Sequence, residues 1–504
     1  MPSYLSPGVY VEEVSSGSKP IEGVGTAVCG FVGFAEKGPV DTPTLVTNWT
    51  QYVSHFGEFT DDSYMAHSVY GYFLNGGGAA YVVRLEDPQG EPAEAVAAAA
   101  SLTGQNRRKV LGVRALNAGA EGNHLSVEAV AGEGETFGLV VKARGQVVET
   151  FENLTGGKGP RAAADVVRRE SRLIAVQQVE AGVPAAGATA LTGGTDASAG
   201  ESALNPQLFI GSTAERSGIA GLEAVDEITM LSVPDLMSCL GSGRLDRDGV
   251  KAVQLAMTAH CELMGDRVAL LDTPPGLTAQ GVQAWRVDET GYDSKYAALY
   301  WPWINVLDPV SGKSAPLPPS GHIAGLWARS DDTRGVHKAP ANEVVRGALS
   351  LELALTRHEH DQLNPLGINC IRAFPGQGIR VWGARTLSSD PEWRYLNVRR
   401  LFNFVEKSIL SGTSWVVFEP NDPKLWDSVK RTVTMFLRTV WREGALFGRT
   451  PDDAFYVKCD AENNPPEARD QGILTVEIGI SAVKPAEFIV FRISQFSDGA
   501  SLDE

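Results

Sequence analysis

The chain has 504 residues, 43% apolar and 21% charged, with 61 acidic against 44 basic side chains and a formal net charge of −17. This composition is that of a soluble globular protein of about three domains, with ample chain for buried cores. The acidic balance makes it a poor ligand for nucleic acid or anionic membrane, and no apolar run is long enough for insertion into a bilayer.

Five cysteines (Cys29, Cys239, Cys261, Cys370 and Cys459) are widely spaced and odd in number. That argues against a disulfide framework or a zinc site and for a reducing compartment. No basic-then-apolar secretion signal opens the chain, so cytoplasmic folding is expected.

Residues 1–22 read as a Pro/Gly/Ser-rich arm carrying a short strand that includes Val9, Tyr10, Val11 and Val14. A glycine-containing buried strand follows at 26–34, then helices near 49–56 and 65–74 and a strand at 80–85. The alternation points to an α/β layer. Between 91 and 200 the aromatics shrink to Phe137 and Phe151 while Gly and Ala dominate. Residues 137–143 and 147–151 flank a turn at Arg144-Gly145 and read as a hairpin, within an inserted, mostly-β outer domain. From 201 the α/β pattern resumes, with strands at 228–233, 268–271 and 297–306 and helices at 249–264 and 323–329. The expected fold class is α/β (α+β overall), multi-domain. Its parts are an arm (1–22), an α/β domain (23–90 plus 201–345), the insertion (91–200) and a C-terminal domain (346–504).

The last third carries the strongest local signals. A helix is expected over 395–409, a short strand over 414–418, and a long helix from Pro423 to Gly444. Asp422 suits the N-cap, Pro423 the first helical position, and Gly444 the left-handed residue beyond the end. Trp426, Val429, Val433, Phe436, Leu437, Val440 and Trp441 recur at helical spacing and define a buried face. Lys430, Arg431, Arg438 and Arg442 form a basic stripe on the other face: a solvated face, or a contact for an acidic protein. Strands are expected at 473–483 and 487–495. Phe488, Ile489, Val490, Phe491 and Ile493 give the second of these apolar character on both faces, as in a sheet interior. It pairs within the molecule or adds to a neighbour's sheet, as does the strand in the N-terminal arm.

Catalytic and ligand motifs read weakly. Asp235 and Asp272 follow apolar strands but sit beside Pro234 and Pro274, as turn caps do. No Ser–His–Asp constellation is evident among the histidine segments. His358 and His360 are spaced to diverge on a helix, unlike paired ligands one turn apart. Gly312-Lys-Ser314 lacks the leading glycine of a phosphate loop, since Leu307 stands there, and Val28 occupies the third glycine place of a dinucleotide fingerprint. Trp301-Pro-Trp303 reads as core or interface. No cofactor and no metal is expected.

The chain resembles the tail sheath proteins of contractile phage tails and contractile injection systems. The resemblance rests on Tyr395-Leu-Asn-Val-Arg-Arg-Leu401, Trp415-Val-Val-Phe-Glu-Pro-Asn421, Gly444-Ala-Leu-Phe-Gly448, Ala454-Phe-Tyr-Val457 and Pro485-Ala-Glu-Phe488. Upstream segments at 4–13, 75–84 and 319–325 agree with it, and the region from about 91 to 200 does not contribute. It implies a non-catalytic, subtilisin-like α/β domain and a C-terminal assembly domain with exchanged terminal strands. It also implies a structural role: stacked hexameric rings around an inner tube, contracting to drive that tube through a target envelope. The partners implied are further copies of the chain, the inner tube, and baseplate and terminal cap proteins. Assembly would be cytoplasmic, with release as part of a phage tail or extracellular injection particle. On that reading Val9, Tyr10, Val11, Val14, Phe488, Ile489, Val490, Phe491 and Ile493 donate strands between subunits. Lys430, Arg431, Arg438 and Arg442 face the tube, with Arg399, Arg400 and Lys407 on the preceding helix as the other choice. An α/β hydrolase-like enzyme and a non-contractile strand-exchanging shell protein remain the alternatives.

Overall fold

The computed structural model describes residues 20–60, 63–86, 90–93, 96–157, 159–194, 198–200 and 203–492. The chain divides into two compact units, one of residues 88–203 and one of the remainder.

The larger unit is organised by an eight-stranded sheet. Its strands in chain order are β1 (Val28–Gly33), β2 (Thr44–Val46), β3 (Ala79–Arg84), β4 (Met230–Ser232), β5 (Val268–Asp272), β6 (Ala297–Trp301), β7 (Ile368–Phe374) and β8 (Gly378–Val381). In space they run β2-β3-β1-β4-β5-β6-β7-β8. Neighbours from β3 to β7 are parallel, and β2 and β8 are antiparallel edges. The central strands are apolar on both faces because both are covered. Val32, Leu231, Leu271 and Leu299 pack into one core, and Phe31, Met230, Leu270 and Tyr300 into the other. Helices α1 (Trp49–Phe56), α2 (Met65–Asn75), α3 (Arg247–Met264) and α4 (Ser320–Arg334) supply the covering layers.

Three expectations need correction here. Residues 297–306 form two strands. β6 stops at Trp301, Pro302 follows through a cis peptide, and Ile304–Leu307 pairs instead with Ser314–Leu317 and Ala348–Leu351. Proline has no N–H for the ladder, so the β6 ladder ends there. A division at 345/346 falls inside this layer, because β7 and β8 return to the sheet. Residues 414–418 are not a strand: Ser414–Val416 is a 3-10 turn.

The smaller unit is mostly β. A four-stranded antiparallel sheet (Gly187–Ala190, Leu125–Ala131, Thr136–Ala143, Gln146–Thr155) accompanies a three-stranded one (Ile174–Gln178, Lys109–Ala115, Ala99–Thr103). Arg144 (φ 50°) and Gly145 (φ 82°) form the tip of the hairpin, the paired positive φ values of a tight hairpin turn. Val127, Phe137, Leu139, Val141, Phe151 and Leu154 fill its core with helix Ala163–Glu170.

Candidate assembly surfaces

The C-terminal part of the larger unit is built on two helices, α5 (Leu396–Gly412) and α6 (Pro423–Arg442). The Asp422 carboxylate accepts from the Leu425 N–H at 2.9 Å, which satisfies an otherwise orphan donor of the first turn. Gly444 has φ 83°, the left-handed conformation that stops the helix. Trp426, Val429, Val433, Phe436, Leu437 and Val440 are buried against Leu401 and Val405 of α5 and against Phe455 and Val457. Trp441 is half-buried and donates from Nε1 to the Gly448 carbonyl.

The opposite face of α6 exposes Lys430, Arg431, Arg438 and Arg442. None of the four makes an ion pair or side-chain hydrogen bond among the described residues. The cations of α5 are placed differently. The Arg399 guanidinium lies 4.4 Å from the Trp393 ring and 4.8 Å from the Tyr296 ring, and it donates to Asn403 and Glu406. Arg400 binds Asp331 through both terminal nitrogens. Lys407 reaches the Asp266 carboxylate and the Asp226 carbonyl. Only α6 therefore carries a basic stripe that the fold itself leaves unengaged.

After α6 the chain forms an antiparallel ribbon, β9 (Phe455–Lys458) with β10 (Glu477–Ile480), in which Phe455 faces Ile480 and Val457 faces Ile478. A two-stranded ribbon is marginal alone, and among the described residues no further strand pairs with either outer edge. The expected final strand is absent from the described residues. Phe488, Ile489, Val490 and Phe491 are 74%, 73%, 76% and 84% exposed and belong to no ladder. An apolar run of this kind reads as a sheet interior, yet among the described residues no strand pairs with it. Ile493 and the arm residues Val9, Tyr10, Val11 and Val14 lie outside the described residues.

The aspartates just after β4 and at the end of β5 are structural linchpins. Asp235 is fully buried and accepts from the N–H groups of Phe34 (2.6 Å), Tyr64 (2.5 Å) and Met65 (3.1 Å) and from Ser63 Oγ (2.9 Å). Burial pushes its pKa up to about 6, the hydrogen bonds opposing. Gly33 must lack a side chain, since a Cβ would stand 2.4 Å from Asp235 Oδ2. Asp272 accepts from Ser320 N (3.0 Å) and Oγ (2.5 Å), and burial pushes it up to about 7. These contacts lie beyond the carboxyl ends of the central strands, the region where open α/β sheets commonly hold ligands. His358 is exposed and His360 buried on helix Arg357–Leu363, so the two rings diverge. Trp301 and Trp303 are core residues. Among the described residues no group of side chains could hold a metal ion, and no helix is long and apolar enough to cross a membrane.

Sequence reasoning missed Phe418. It is fully exposed, has φ 68°, and follows the exposed Val417. The turn that presents it is braced by Asn421, which donates to the Ile473 carbonyl and accepts from Trp426 Nε1. Backbone conformation of this kind leaves no periodic trace in a sequence.

Comparison with known proteins bears on these surfaces. Residues 231–387 match the family model of the phage tail sheath protein central domain, and residues 388–496 that of the phage tail sheath C-terminal domain. The tail sheath protein of Burkholderia phage BcepMu is 24% identical over 506 aligned positions, covering 96% of this chain and 95% of that protein. The putative prophage major tail sheath protein of Pseudomonas aeruginosa is 26% identical, covering 65% of this chain and 77% of that protein. The tail sheath protein of Vibrio phage KVP40 is 25% identical, and the match spans only 42% of its length. Among solved structures, the contracted helical sheath of the anti-feeding prophage aligns with TM-score 0.59 at 25% identity, covering 98% of this chain and all of that one. The contracted sheath of the PVC extracellular contractile injection system aligns with TM-score 0.60 at 23% identity, covering 98% and 99%. The two family models together run unbroken from residue 231 to 496, more than half of the chain, and the chain belongs to the phage tail sheath family.

Proposed function

We propose that this chain is the sheath subunit of a contractile injection machine, stacking as hexameric rings around an inner tube between a baseplate and a terminal cap. The observation that carries the proposal is the presence, in one protomer, of a solvent-exposed apolar arm at Phe488–Phe491 and a two-stranded ribbon that no third strand joins among the described residues. Strand addition joins such parts through main-chain hydrogen bonds. Donor and acceptor are different surfaces, so the contact is heterologous and propagates as a helix. The arm at Val9, Tyr10, Val11 and Val14 supplies a second donated strand. Contraction then draws on new contacts between protomers that rotate while their arms stay joined. Assembly takes place in the producing cell's cytoplasm, followed by release in a tail or injection particle.

Lys430, Arg431, Arg438 and Arg442 face the inner tube in this proposal. Charge pairing there positions the sheath and, being solvent-screened, still allows release. The larger unit, which carries these surfaces, acts as the rigid body in this proposal.

The test is electron microscopy of the full-length protein, alone and co-expressed with a tube protein. Hollow tubes of two lengths and diameters are expected. A compact monomer in both cases would overturn the proposal, and a single length and diameter under every condition would indicate a non-contractile shell. Deleting residues 1–20 should leave a soluble subunit that forms no long sheaths, and normal polymerisation would remove that arm from the scheme.

A further inference from the structure

The C-terminal arm leaves the protomer through a polar clamp. Glu487 immediately precedes the exposed apolar run, and its carboxylate receives three side chains. Arg385 donates from Nε at 2.9 Å and Nη2 at 2.6 Å, Asn364 from Nδ2 at 2.8 Å, and Tyr395 from its hydroxyl at 3.2 Å. Arg385 is itself held. Its Nη1 donates to the Asn364 carbonyl at 3.1 Å, and its backbone exchanges two hydrogen bonds with the Asn369 side chain, at 2.7 and 2.8 Å. Asn369 is fully buried in β7, inside the large sheet. Four residues upstream of Glu487, Asn397 of α5 donates from Nδ2 to the Val483 carbonyl at 2.9 Å.

Little else holds this stretch. No residue from 484 to 492 is buried, and a cavity of about 530 Å³ lies between residues 483–489 and the body, lined by Trp382, Tyr395 and Lys484 among others. Ordering each residue costs about 1–2 kcal/mol of backbone entropy, and apolar packing here offsets little of it. A bidentate arginine–carboxylate pair fixes direction as well as position. Burial raises the Glu487 pKa, but the bonds from Arg385 and Asn364 outweigh it and leave the group below the usual carboxylate value. Lys484-Pro485 has the composition of a hinge, yet the chain is pinned on both sides of it, at Val483 and Glu487.

We infer that Glu487 is the positioning residue that fastens the C-terminal arm to the protomer body, so that the arm pivots after Glu487. The inference rests on the proposal that residues from 488 onward dock on a neighbouring copy. A pull on the arm then passes through Glu487 and Arg385 to Asn369 and the eight-stranded sheet. It bypasses the β9–β10 ribbon and α6, so an arm under load need not disturb the surface proposed to face the tube.

Two full-length variants and one shortened chain separate these ideas: Glu487→Ala, Glu487→Gln, and a chain ending at Glu487. Each is read by thermal melting and by the concentration needed for sheath assembly, measured by sedimentation. Glu487→Ala leaves the buried Arg385 without its carboxylate and is expected to melt below the parent, while its assembly concentration rises roughly tenfold or more, tenfold corresponding to about 1.4 kcal/mol. Glu487→Gln, which keeps neutral hydrogen bonds, should fall between the two. The shortened chain should not assemble. If it fails to assemble but Glu487→Ala assembles like the parent, the clamp is overturned and strand donation stands. If Asp331→Ala, which destabilises the body without touching the arm, raises the assembly concentration as much, the loss of assembly reflects general destabilisation and the positioning role is overturned. Normal assembly of the shortened chain would overturn strand donation by this arm, and the clamp with it.

Discussion

Arg400 Nη2 lies 2.5 Å from Asp331 Oδ2, with both side chains almost completely enclosed. A second bond joins Nη1 to Oδ1 at 2.9 Å, and the guanidinium sits 4.7 Å from the Trp327 ring. This pair locks α5 onto α4. Removing one partner leaves the other charge buried and uncompensated, which typically costs about 3–5 kcal/mol. Asp331→Ala is therefore expected to lower unfolding stability by that order in denaturant titration. A change below about 1 kcal/mol would mean that solvent reaches the pair.

The basic stripe on α6 makes the opposite prediction. Lys430→Glu combined with Arg438→Glu changes two exposed side chains that the fold leaves unpaired, so the melting temperature should stay near that of the parent. Loading of the sheath on tubes should drop, and more steeply at low salt, where surface charges are least screened. Normal loading at physiological salt would remove these residues from the tube-facing surface.

Phe418 holds a left-handed backbone, at φ 68°, while its ring contributes no burial. For a bulky residue that conformation costs roughly 1–2 kcal/mol, which glycine does not incur. Phe418→Gly should raise the unfolding free energy of the isolated subunit by about 1 kcal/mol, read as a higher denaturant midpoint at unchanged slope. A lower midpoint would show that the ring contributes more to the folded state than the backbone loses.

Asp272 sets a pH dependence. Its pKa in the folded chain is pushed up to about 7, from 3.8 unfolded, by burial. Between those values the folded state binds a proton that the unfolded state releases, so its contribution weakens as pH rises from about 4 to about 7. The scale is about 1.4 kcal/mol per unit of separation. Asp235, pushed up to about 6, acts in the same direction over a narrower window. Asp272→Asn should flatten the stability profile between pH 4 and 7. An unaltered slope would mean that the carboxyl stays ionised throughout.

Where a signal was local, the sequence was legible. Helix α6 shows its cap at Asp422, its stop at Gly444 and both of its faces, because 3.6-residue periodicity records burial directly. Strands β1, β3, β4 and β5 were legible for a similar reason, as short apolar runs flanked by turn residues, whereas the three-residue edge strand β2 was not read. Residues 414–418 misled because a five-residue apolar run has the same composition in a turn as in a strand. The division near 345 misled because β7 and β8 join a sheet begun more than 300 residues earlier, and nothing local records such a pairing. The two basic helices could not be told apart from their charges alone. Asp331 and Asp266, which engage Arg400 and Lys407 of α5, lie 69 and 141 positions away. The clamp on Glu487 was hidden for the same reason, its partners lying 92 to 123 positions away.

The exposed side chains of Phe488, Ile489, Val490 and Phe491 also set how a growing sheath responds to temperature. If docking takes them out of water, each added subunit lowers the heat capacity of the system. The same burial loses driving force on cooling. Chilled sheaths are expected to shed subunits from their ends and regain them on warming. Calorimetry that finds no heat-capacity change on assembly would mean that those four side chains remain wet.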